Sequence, residues 1–156
     1  MDFDMLRAAT EINLYGTIYV SAYAAKVMCK NQALNDRGEK GVIINVSSVA
    51  GFEGQRGQVP YSATKAAIIG ITTPMARDLG RYGIRVVTLA PSLFETPMTE
   101  SVRKNDKIKD SFTKDTPLNR LGKPDEFAHL AVSTVENSYL NGVTIRLDGA
   151  TVLSHI

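Results

Sequence analysis

The stretch "GVIINVSSVAGFEGQRGQVPYSATKAAIIGITTPMARDLGRYGIRVVTLAP" spans residues 41–91 and decides the fold. Its two ends, residues 41–48 and 84–91, are short and nearly continuous apolar runs rich in β-branched residues, which is typical of buried parallel strands. The segment between them predicts a helix from Val59 to Arg81, with a local kink at Pro74 rather than a break. A strand, a helix and a second strand in this order indicate a parallel sheet with a crossover helix.

The pattern continues in both directions from this unit. Upstream, helical spacing of apolar residues predicts one long helix from Phe3 to about Cys29. Downstream, we expect a loop and a polar helix over about 92–116, then a helix from Pro124 to about Val135 and a last strand over 142–150. The alternation predicts an α/β fold, and residues 1–156 are interpreted as one domain or part of one.

Composition excludes several classes of protein. The 156 residues are 44% hydrophobic and 22% charged with a net charge of +2, which is ordinary for a globular domain and argues against a nucleic-acid partner. The longest apolar runs are too short to cross a bilayer, so no membrane partner is expected. Cys29 is the only cysteine, which excludes an internal disulfide and favours a reducing intracellular compartment. No cluster of metal ligands is apparent, so no metal is expected.

Tyr61 and Lys65 are candidates for acid/base chemistry. They lie four residues apart on the predicted helix and therefore share one face, and Ser48 lies thirteen residues before Tyr61 at a strand end. A free phenol has a pKa of about 10, and a nearby cation favours its ionised form, so the pair predicts proton transfer at a C–O centre. The alternative is a half-buried tyrosine beside an ordinary lysine on an amphipathic helix.

Six motifs occur together in a fixed order and carry a resemblance across essentially the whole chain. They are "EINLYGT", "IINVSSVAG", "YSATK", "IRVVTLAPSLFETPM", "PLNRLGKPDEFAHLA" and "IRLDGA". The sequence resembles the C-terminal part of the short-chain dehydrogenase/reductase family. The resemblance implies the C-terminal part of a Rossmann-like, doubly wound parallel sheet, and NAD(P)-dependent interconversion of a secondary alcohol and a ketone.

The resemblance also implies roles for four residues. Tyr61 is the expected general acid/base, Lys65 favours its ionised form and contacts the nicotinamide ribose, and Ser48 positions the substrate carbonyl. Asn13 is expected to hold a water that connects Lys65 to solvent. Each has a structural alternative: Ser48, or its neighbour Ser47, satisfies backbone groups at a strand end, and Asn13 is an ordinary polar residue at a cap or kink.

A second group of residues is implied to bind the cofactor, which is NAD with NADP left open. It consists of Tyr61, Lys65, Pro91, Leu93 and Thr96, the last contacting the nicotinamide carboxamide. Thr96 alternatively initiates the turn before Pro97. Ser92 stands where many members have glycine, so we expect its side chain either to crowd the nicotinamide or to distort a backbone that needs glycine freedom.

The family's Gly-rich pyrophosphate turn is not found in the sequence. Gly51, Gly54 and Gly57 have the wrong spacing and are interpreted as a flexible loop near the substrate. We therefore expect the first strands to be missing, about 100 residues of a single-domain dinucleotide enzyme. The strand at 41–48 would then form an open apolar edge.

Two classes of function follow. The first is an oxidoreductase acting on a small alcohol or ketone. A closer likeness within the family implies 3-hydroxyacyl-CoA or hydroxysteroid substrates and a mitochondrial location, with a cytoplasmic one left open. Phe94, Met98 and Val102 of the 92–116 segment are expected to cover that substrate. The second is a truncated, non-catalytic oligomerisation or interaction module. Family members pair through their long helices, so a homo-oligomer, a tetramer or dimer, is expected for the full-length form.

Overall fold

The parallel α/β architecture predicted from the sequence is confirmed. The computed structural model describes residues 2–100, 104–105, 110 and 113–152. Within these residues, one sheet contains three parallel strands in the order β1-β2-β3. The strands are β1 (Gly41–Val46), β2 (Ile84–Pro91) and β3 (Thr144–Leu147). The last strand is shorter than the predicted 142–150, because the chain turns after Leu147 and the amide of Ala150 donates a hydrogen bond to the Asp148 carboxylate.

The helices also match their predicted positions closely. They are α1 (Phe3–Ala9), α2 (Gly16–Met28), α3 (Val59–Gly80) and α4 (Pro124–Glu136). A π-helical segment, Thr10–Tyr15, joins α1 to α2, so the first helix is continuous as predicted but has a local π-helical register that was not predicted. α3 continues through Pro74, and α4 begins at Pro124, whose missing amide hydrogen costs nothing in a first turn.

Helices cover both faces of the sheet, as expected of a doubly wound fold. Alternate residues of a strand point to opposite faces. Ile84 and Val86 of β2 pack with Ala25 of α2 and Ala76 of α3 in one hydrophobic cluster. Side chains of this kind contribute about 1.5–3 kcal/mol each when fully buried, so the central strand anchors the fold.

Arg85 of β2 points to the opposite face and holds α4 there. Its guanidinium donates hydrogen bonds to the carbonyl oxygens of Thr134 (3.0 Å), Val135 (2.8 Å) and Leu140 (2.9 Å). Its Nε lies 2.6 Å from a carboxylate oxygen of Glu39, and the two side chains are only 7% and 12% exposed. Burial opposes ionisation of Glu39, but hydrogen bonds from Arg85 and neighbouring polar groups outweigh it, so the pKa of Glu39 lies below its usual value. The buried charge on β2 is therefore paired.

The predicted open edge at the first strand is present in the described sheet. β1 pairs only with β2 there, and Val46 at its end is 44% exposed. An exposed apolar strand edge is a surface on which another strand can pair.

Part of the segment after β2 packs against the fold. Phe94 is buried, and its ring packs edge-on against Phe127 at a centroid distance of 6.0 Å. Met98 is 91% exposed, and the expected helix falls partly outside the described residues, as does Val102. The described part of this segment includes a short 3-10 turn, Pro97–Thr99. None of the helices in the described ranges is long and apolar enough to cross a membrane.

Candidate active site

The candidate residues lie mainly at the carboxyl ends of β1 and β2 and on the helix between these strands. Ser48 follows β1 by two residues, and Pro91 is the last residue of β2. In open α/β sheets, ligands bind in the crevice outside the carboxyl ends of the strands. The fold therefore places the predicted residues at the edge where this architecture forms its binding sites.

Two adjacent serines at this edge have different environments. Ser47 is buried, and its hydroxyl donates a 2.7 Å hydrogen bond to the carbonyl oxygen of Lys65. Ser48 is half-buried, and its Oγ accepts a 3.2 Å hydrogen bond from the amide of Ala50 at the start of the 3-10 turn Val49–Gly51. The hydroxyl hydrogen of Ser48 has no acceptor among the described residues, so it is available to a ligand.

Tyr61 and Lys65 occupy the first two turns of α3 and lie side by side. The Lys65 Nζ is 5.6 Å from the centroid of the Tyr61 ring, within the range of a cation–π contact. The same ammonium donates a 3.1 Å hydrogen bond to the carbonyl oxygen of Val46, at the last residue of β1. Burial lowers the pKa of Lys65 from its ordinary value of 10.5. Tyr61 is 39% exposed, so a small molecule can reach its ring.

Asn13 lies in the π-helical segment and reaches the same helix. Its amide Nδ2 donates a 3.2 Å hydrogen bond to the hydroxyl of Thr64, which in turn donates to the Tyr61 carbonyl oxygen at 2.8 Å. Asn13 is thus linked directly to the residue before Lys65. Single π-helical turns within α-helices frequently mark functional sites. The π-helical register was missed because nothing in local residue spacing predicts it.

The three remaining candidates lie along the segment that leaves β2. The carbonyl oxygen of Leu93 accepts a 3.0 Å hydrogen bond from the amide of Gly122. Thr96 starts the 3-10 turn, and its amide donates to the Thr99 hydroxyl at 3.0 Å. Thr96 therefore does initiate the turn before Pro97, which was its structural alternative. The backbone at Ser92 does not need glycine freedom, since φ is positive at only two described non-glycine residues, and Ser92 is neither of them. The alternative, that its side chain crowds the nicotinamide, stays a prediction.

The residues present fit one half of a dinucleotide. The Lys65 ammonium, the accessible Tyr61 phenol and the Ser48 hydroxyl hydrogen suit the polar ribose and carboxamide of a nicotinamide. The turn after β1 does not suit a pyrophosphate, because Gly51 packs directly on α3: a Cβ at this position would lie 2.9 Å from the backbone carbon of Lys65. That glycine permits close packing of backbone on backbone, so it is part of a packed turn and the interpretation as a loose loop is wrong there. Within the described ranges, no group of three or more potential metal ligands lies together.

Two further residues near this edge were missed by sequence reasoning. Arg146 of β3 lies 2.8 Å from a carboxylate oxygen of Glu53, just beyond the Ser48 turn. The two residues are 93 positions apart in the chain, so local pattern could not pair them. The only signal was a basic residue within a strand that otherwise reads as apolar.

The chain is similar to known dehydrogenases and reductases. A family model described as enoyl-(acyl carrier protein) reductase matches residues 1–150. The chain is 50% identical over 140 residues to the 3-hydroxyacyl-CoA dehydrogenase type-2 of Rattus norvegicus, covering 89% of this chain and 52% of that protein. It thus spans about half the length of the curated relatives it matches.

Solved structures agree with the sequence relatives. The crystal structure of 3-hydroxyacyl-CoA dehydrogenase type-2 from Mycobacterium avium superposes with a TM-score of 0.93 at 37% identity, covering 100% of this chain and 60% of that one. A 7α-hydroxysteroid dehydrogenase complexed with NADH superposes with a TM-score of 0.87 at 28% identity, covering 100% of this chain and 59% of that one. A gluconate 5-dehydrogenase from Burkholderia cenocepacia in complex with NADP gives 0.84 at 32% identity, covering 96% and 56%. Together with the parallel sheet, these matches place the chain in the short-chain dehydrogenase/reductase family.

Proposed function

We propose that this chain carries the proton-transfer part of a nicotinamide-dependent oxidoreductase that interconverts a secondary alcohol and a ketone. The observation that supports this most directly is the Lys65 ammonium 5.6 Å from the Tyr61 ring centroid at the ligand-binding edge of the sheet. The relatives with matching sequence and fold are dehydrogenases and reductases.

Tyr61 is the proposed general acid/base. In the oxidation direction its phenolate accepts the proton of the substrate hydroxyl, and in the reduction direction its phenol returns a proton to the carbonyl oxygen. Its partial exposure admits a substrate to the hydroxyl end of the ring.

Lys65 and Asn13 support this proton transfer. One N–H of the Lys65 ammonium is committed to the Val46 carbonyl oxygen, which fixes the side chain and leaves its other hydrogens for the ribose hydroxyls of the cofactor. Asn13 binds the Thr64 hydroxyl and so positions the π-helical segment beside α3. We propose that this segment holds a water through which the proton leaves the Tyr61–Lys65 pair.

Ser48 is the proposed substrate-orienting group. Its Oγ already accepts a hydrogen bond from the Ala50 amide, which fixes the oxygen and directs the hydroxyl hydrogen elsewhere. That hydrogen would be donated to the substrate oxygen that exchanges a proton with Tyr61. Ser47 is unsuited to this role because its hydrogen is given to the Lys65 carbonyl oxygen.

The cofactor is proposed to be NAD, with NADP as the alternative. A bound nicotinamide supplies the acceptor or donor of the hydride. Pro91, Leu93 and Thr96 would line its ring, and Lys65 would hold its ribose. Structural relatives are complexed with NADH and with NADP, so both dinucleotides are consistent with the comparisons.

We propose a 3-hydroxyacyl-CoA or a hydroxysteroid as the substrate class. Support comes from the names of the relatives, which are 3-hydroxyacyl-CoA dehydrogenases and a 7α-hydroxysteroid dehydrogenase. A mitochondrial location is proposed from the family resemblance alone. We propose that residues 1–156 form part of a single catalytic domain, whose remainder holds the pyrophosphate.

A second candidate function is an oligomerisation or interaction module without catalysis. It is favoured by large apolar side chains that α2 exposes in a row, with Tyr19 62%, Tyr23 68% and Val27 65% exposed. Exposed apolar surface of this kind marks interaction sites. The same surface would serve a homodimer or homotetramer of the catalytic form.

A chimaeric enzyme separates these functions. The unmatched N-terminal part of the rat 3-hydroxyacyl-CoA dehydrogenase type-2 is joined ahead of residue 1, and reduction of acetoacetyl-CoA by NADH is followed by absorbance. We expect turnover in the chimaera and no saturable NADH binding by the 156-residue chain at micromolar concentrations. A folded chimaera that binds NADH but reduces neither acetoacetyl-CoA nor a ketosteroid would contradict the proposed function and favour the module.

A further inference from the structure

Arg146 connects two parts of the fold that are not neighbours in the sheet. Its Nη1 lies 2.8 Å from Glu53 and its Nε lies 2.6 Å from Asp148, while its guanidinium lies 5.3 Å from the centroid of the Phe52 ring. Glu53 and Phe52 follow β1, whereas Arg146 belongs to β3, and β2 lies between these strands. The guanidinium therefore connects β3 with the segment that follows β1, across the central strand β2 of the described sheet.

The segment that Arg146 holds leads directly to Ser48. The amides of Glu53 and Phe52 donate to the Val49 carbonyl oxygen at 3.0 and 2.9 Å, and the amide of Gly51 donates to the Ser48 carbonyl oxygen at 3.0 Å. This continuous hydrogen-bonded turn allows a displacement of Glu53 to be passed to Ser48.

The charge balance favours a permanent contact. Hydrogen bonds that Arg146 donates to Glu53 and Asp148 raise its pKa above an already high value, so the guanidinium stays charged at every working pH. Two carboxylates on one guanidinium form a small network, and networks hold their geometry better than isolated surface pairs. The guanidinium also lies over the Phe52 ring, a contact that a lysine would make less well.

We propose that Arg146 is a positioning residue that fixes the orientation of the Ser48 hydroxyl by clamping Glu53 to the end of β3. This inference rests on the proposed function for the chemical role of Ser48. The clamp itself is a physical contact within this chain and is measured without turnover.

The test uses amide hydrogen exchange, measured by NMR on the 156-residue chain. The Ala50 amide reports directly on the Ser48 hydroxyl, because it donates its hydrogen bond to Ser48 Oγ. Arg146→Gln should accelerate exchange at Ala50 about tenfold, since a charge-assisted hydrogen bond is lost, while the amides of β2 change little. Glu53→Gln alters only a few atoms of the same contact and should accelerate exchange at Ala50 to the same extent. It serves as the test if Arg146→Gln does not fold.

Two comparisons separate a specific clamp from general destabilisation. Arg120→Gln removes another partly exposed arginine–carboxylate pair, Arg120–Glu126, and should leave exchange at Ala50 unchanged. Arg146→Lys keeps a cation beside Glu53 and Asp148 and should retain part of the protection. Exchange at Ala50 within about twofold of the parent in both Arg146→Gln and Glu53→Gln would overturn the proposal.

Turnover then separates the clamp from the function it serves. In the chimaeric enzyme, Arg146→Gln should lower kcat while the KM for NADH stays unchanged, and Arg146→Lys should recover part of the loss. An unchanged kcat in an active chimaera would overturn the positioning role and leave the proposed function standing. If the chimaera has no turnover, the proposed function fails, and exchange at Ala50 still decides whether the clamp exists.

Discussion

The amide nitrogen of Asn13 lies 3.2 Å from the hydroxyl oxygen of Thr64, and this contact joins the π-helical segment to α3 one residue before Lys65. The Thr64 hydroxyl is buried and also donates to the Tyr61 carbonyl oxygen. The Thr64 hydroxyl accepts from Asn13 and donates to Tyr61, so it connects the π-helical segment to the helix that carries Tyr61 and Lys65.

Loss of the Thr64 hydroxyl should therefore destabilise the chain. Thr64→Val keeps the shape but leaves the Asn13 amide without its acceptor, which we expect to lower the free energy of unfolding by about 1 kcal/mol. Thr64→Ser keeps the hydroxyl and is the matched control. Urea denaturation measures both variants, and equal stability of the valine and serine variants would contradict the contact.

Lys65 should make stability depend on alkaline pH. Burial lowers its pKa in the folded state below 10.5, so between the two values the unfolded chain binds more protons than the folded chain. The free energy of unfolding should rise with pH across that window, because the half-buried ammonium loses its charge in the folded chain. Below the window the ammonium is charged in both states, and the cost of burying its charge lowers stability. Comparison of urea denaturation with Lys65→Met, which should lack this rise, tests the sign; a fall in stability over the same window would contradict it.

Glu126 should contribute stability that is lost in acid. A bidentate contact with Arg120 and the Lys123 amide hold the pKa of Glu126 at about 2, below its ordinary 4.5. The unfolded chain therefore binds the proton first as the pH falls, and the contribution is complete above 4.5 and disappears towards 2. NMR titration of the carboxyl carbon measures the pKa, and Arg120→Gln should return it towards the ordinary value. An unshifted pKa in the parent chain would show that this contact does not form in solution.

Phe94 should stabilise the segment that carries Leu93 and Thr96. Its ring packs against Phe127 and directly on Gly122, where a Cβ would lie 2.6 Å from a ring carbon. Phe94→Ala should cost about 3 kcal/mol, since it removes a buried aromatic ring and leaves a cavity. Phe3→Ala removes a ring that is 74% exposed and should cost far less. Equal losses in thermal unfolding would show that the ring is not packed in solution.

The strands and most helix ends were predictable because their signals are local. β1 and β2 are apolar runs bounded by polar or glycine-rich segments, and Pro124 marks a helix start, so the hydrophobic pattern alone locates them. The π-helical segment at Thr10–Tyr15 was not predictable in this way, because the apolar spacing of this segment reads as an ordinary α-helix.

In the candidate site too, contacts between neighbours in one helix were predictable, and contacts between distant segments were not. Tyr61 and Lys65 are neighbours by helical spacing, so their proximity follows from secondary structure. Phe94 is buried by Phe127 and Gly122, which come later in the chain, so local pattern does not predict its packing, and its expected part in covering a substrate stays a prediction. The Glu53–Arg146 pair likewise depends on the order of strands in the sheet, which residue patterns do not specify. The chemical roles of Ser48, Tyr61, Lys65 and Asn13 stay predictions.

The central claim is that Tyr61 transfers the proton, and Tyr61→Phe in the chimaeric enzyme tests it most directly. Tyr139→Phe removes the same hydroxyl from a side chain that is 98% exposed, and is the matched control. Removal of a general acid/base should lower kcat by about 10²–10⁴-fold, with NADH affinity nearly unchanged, while Tyr139→Phe keeps full turnover. Retention of most of the turnover by Tyr61→Phe would contradict the account.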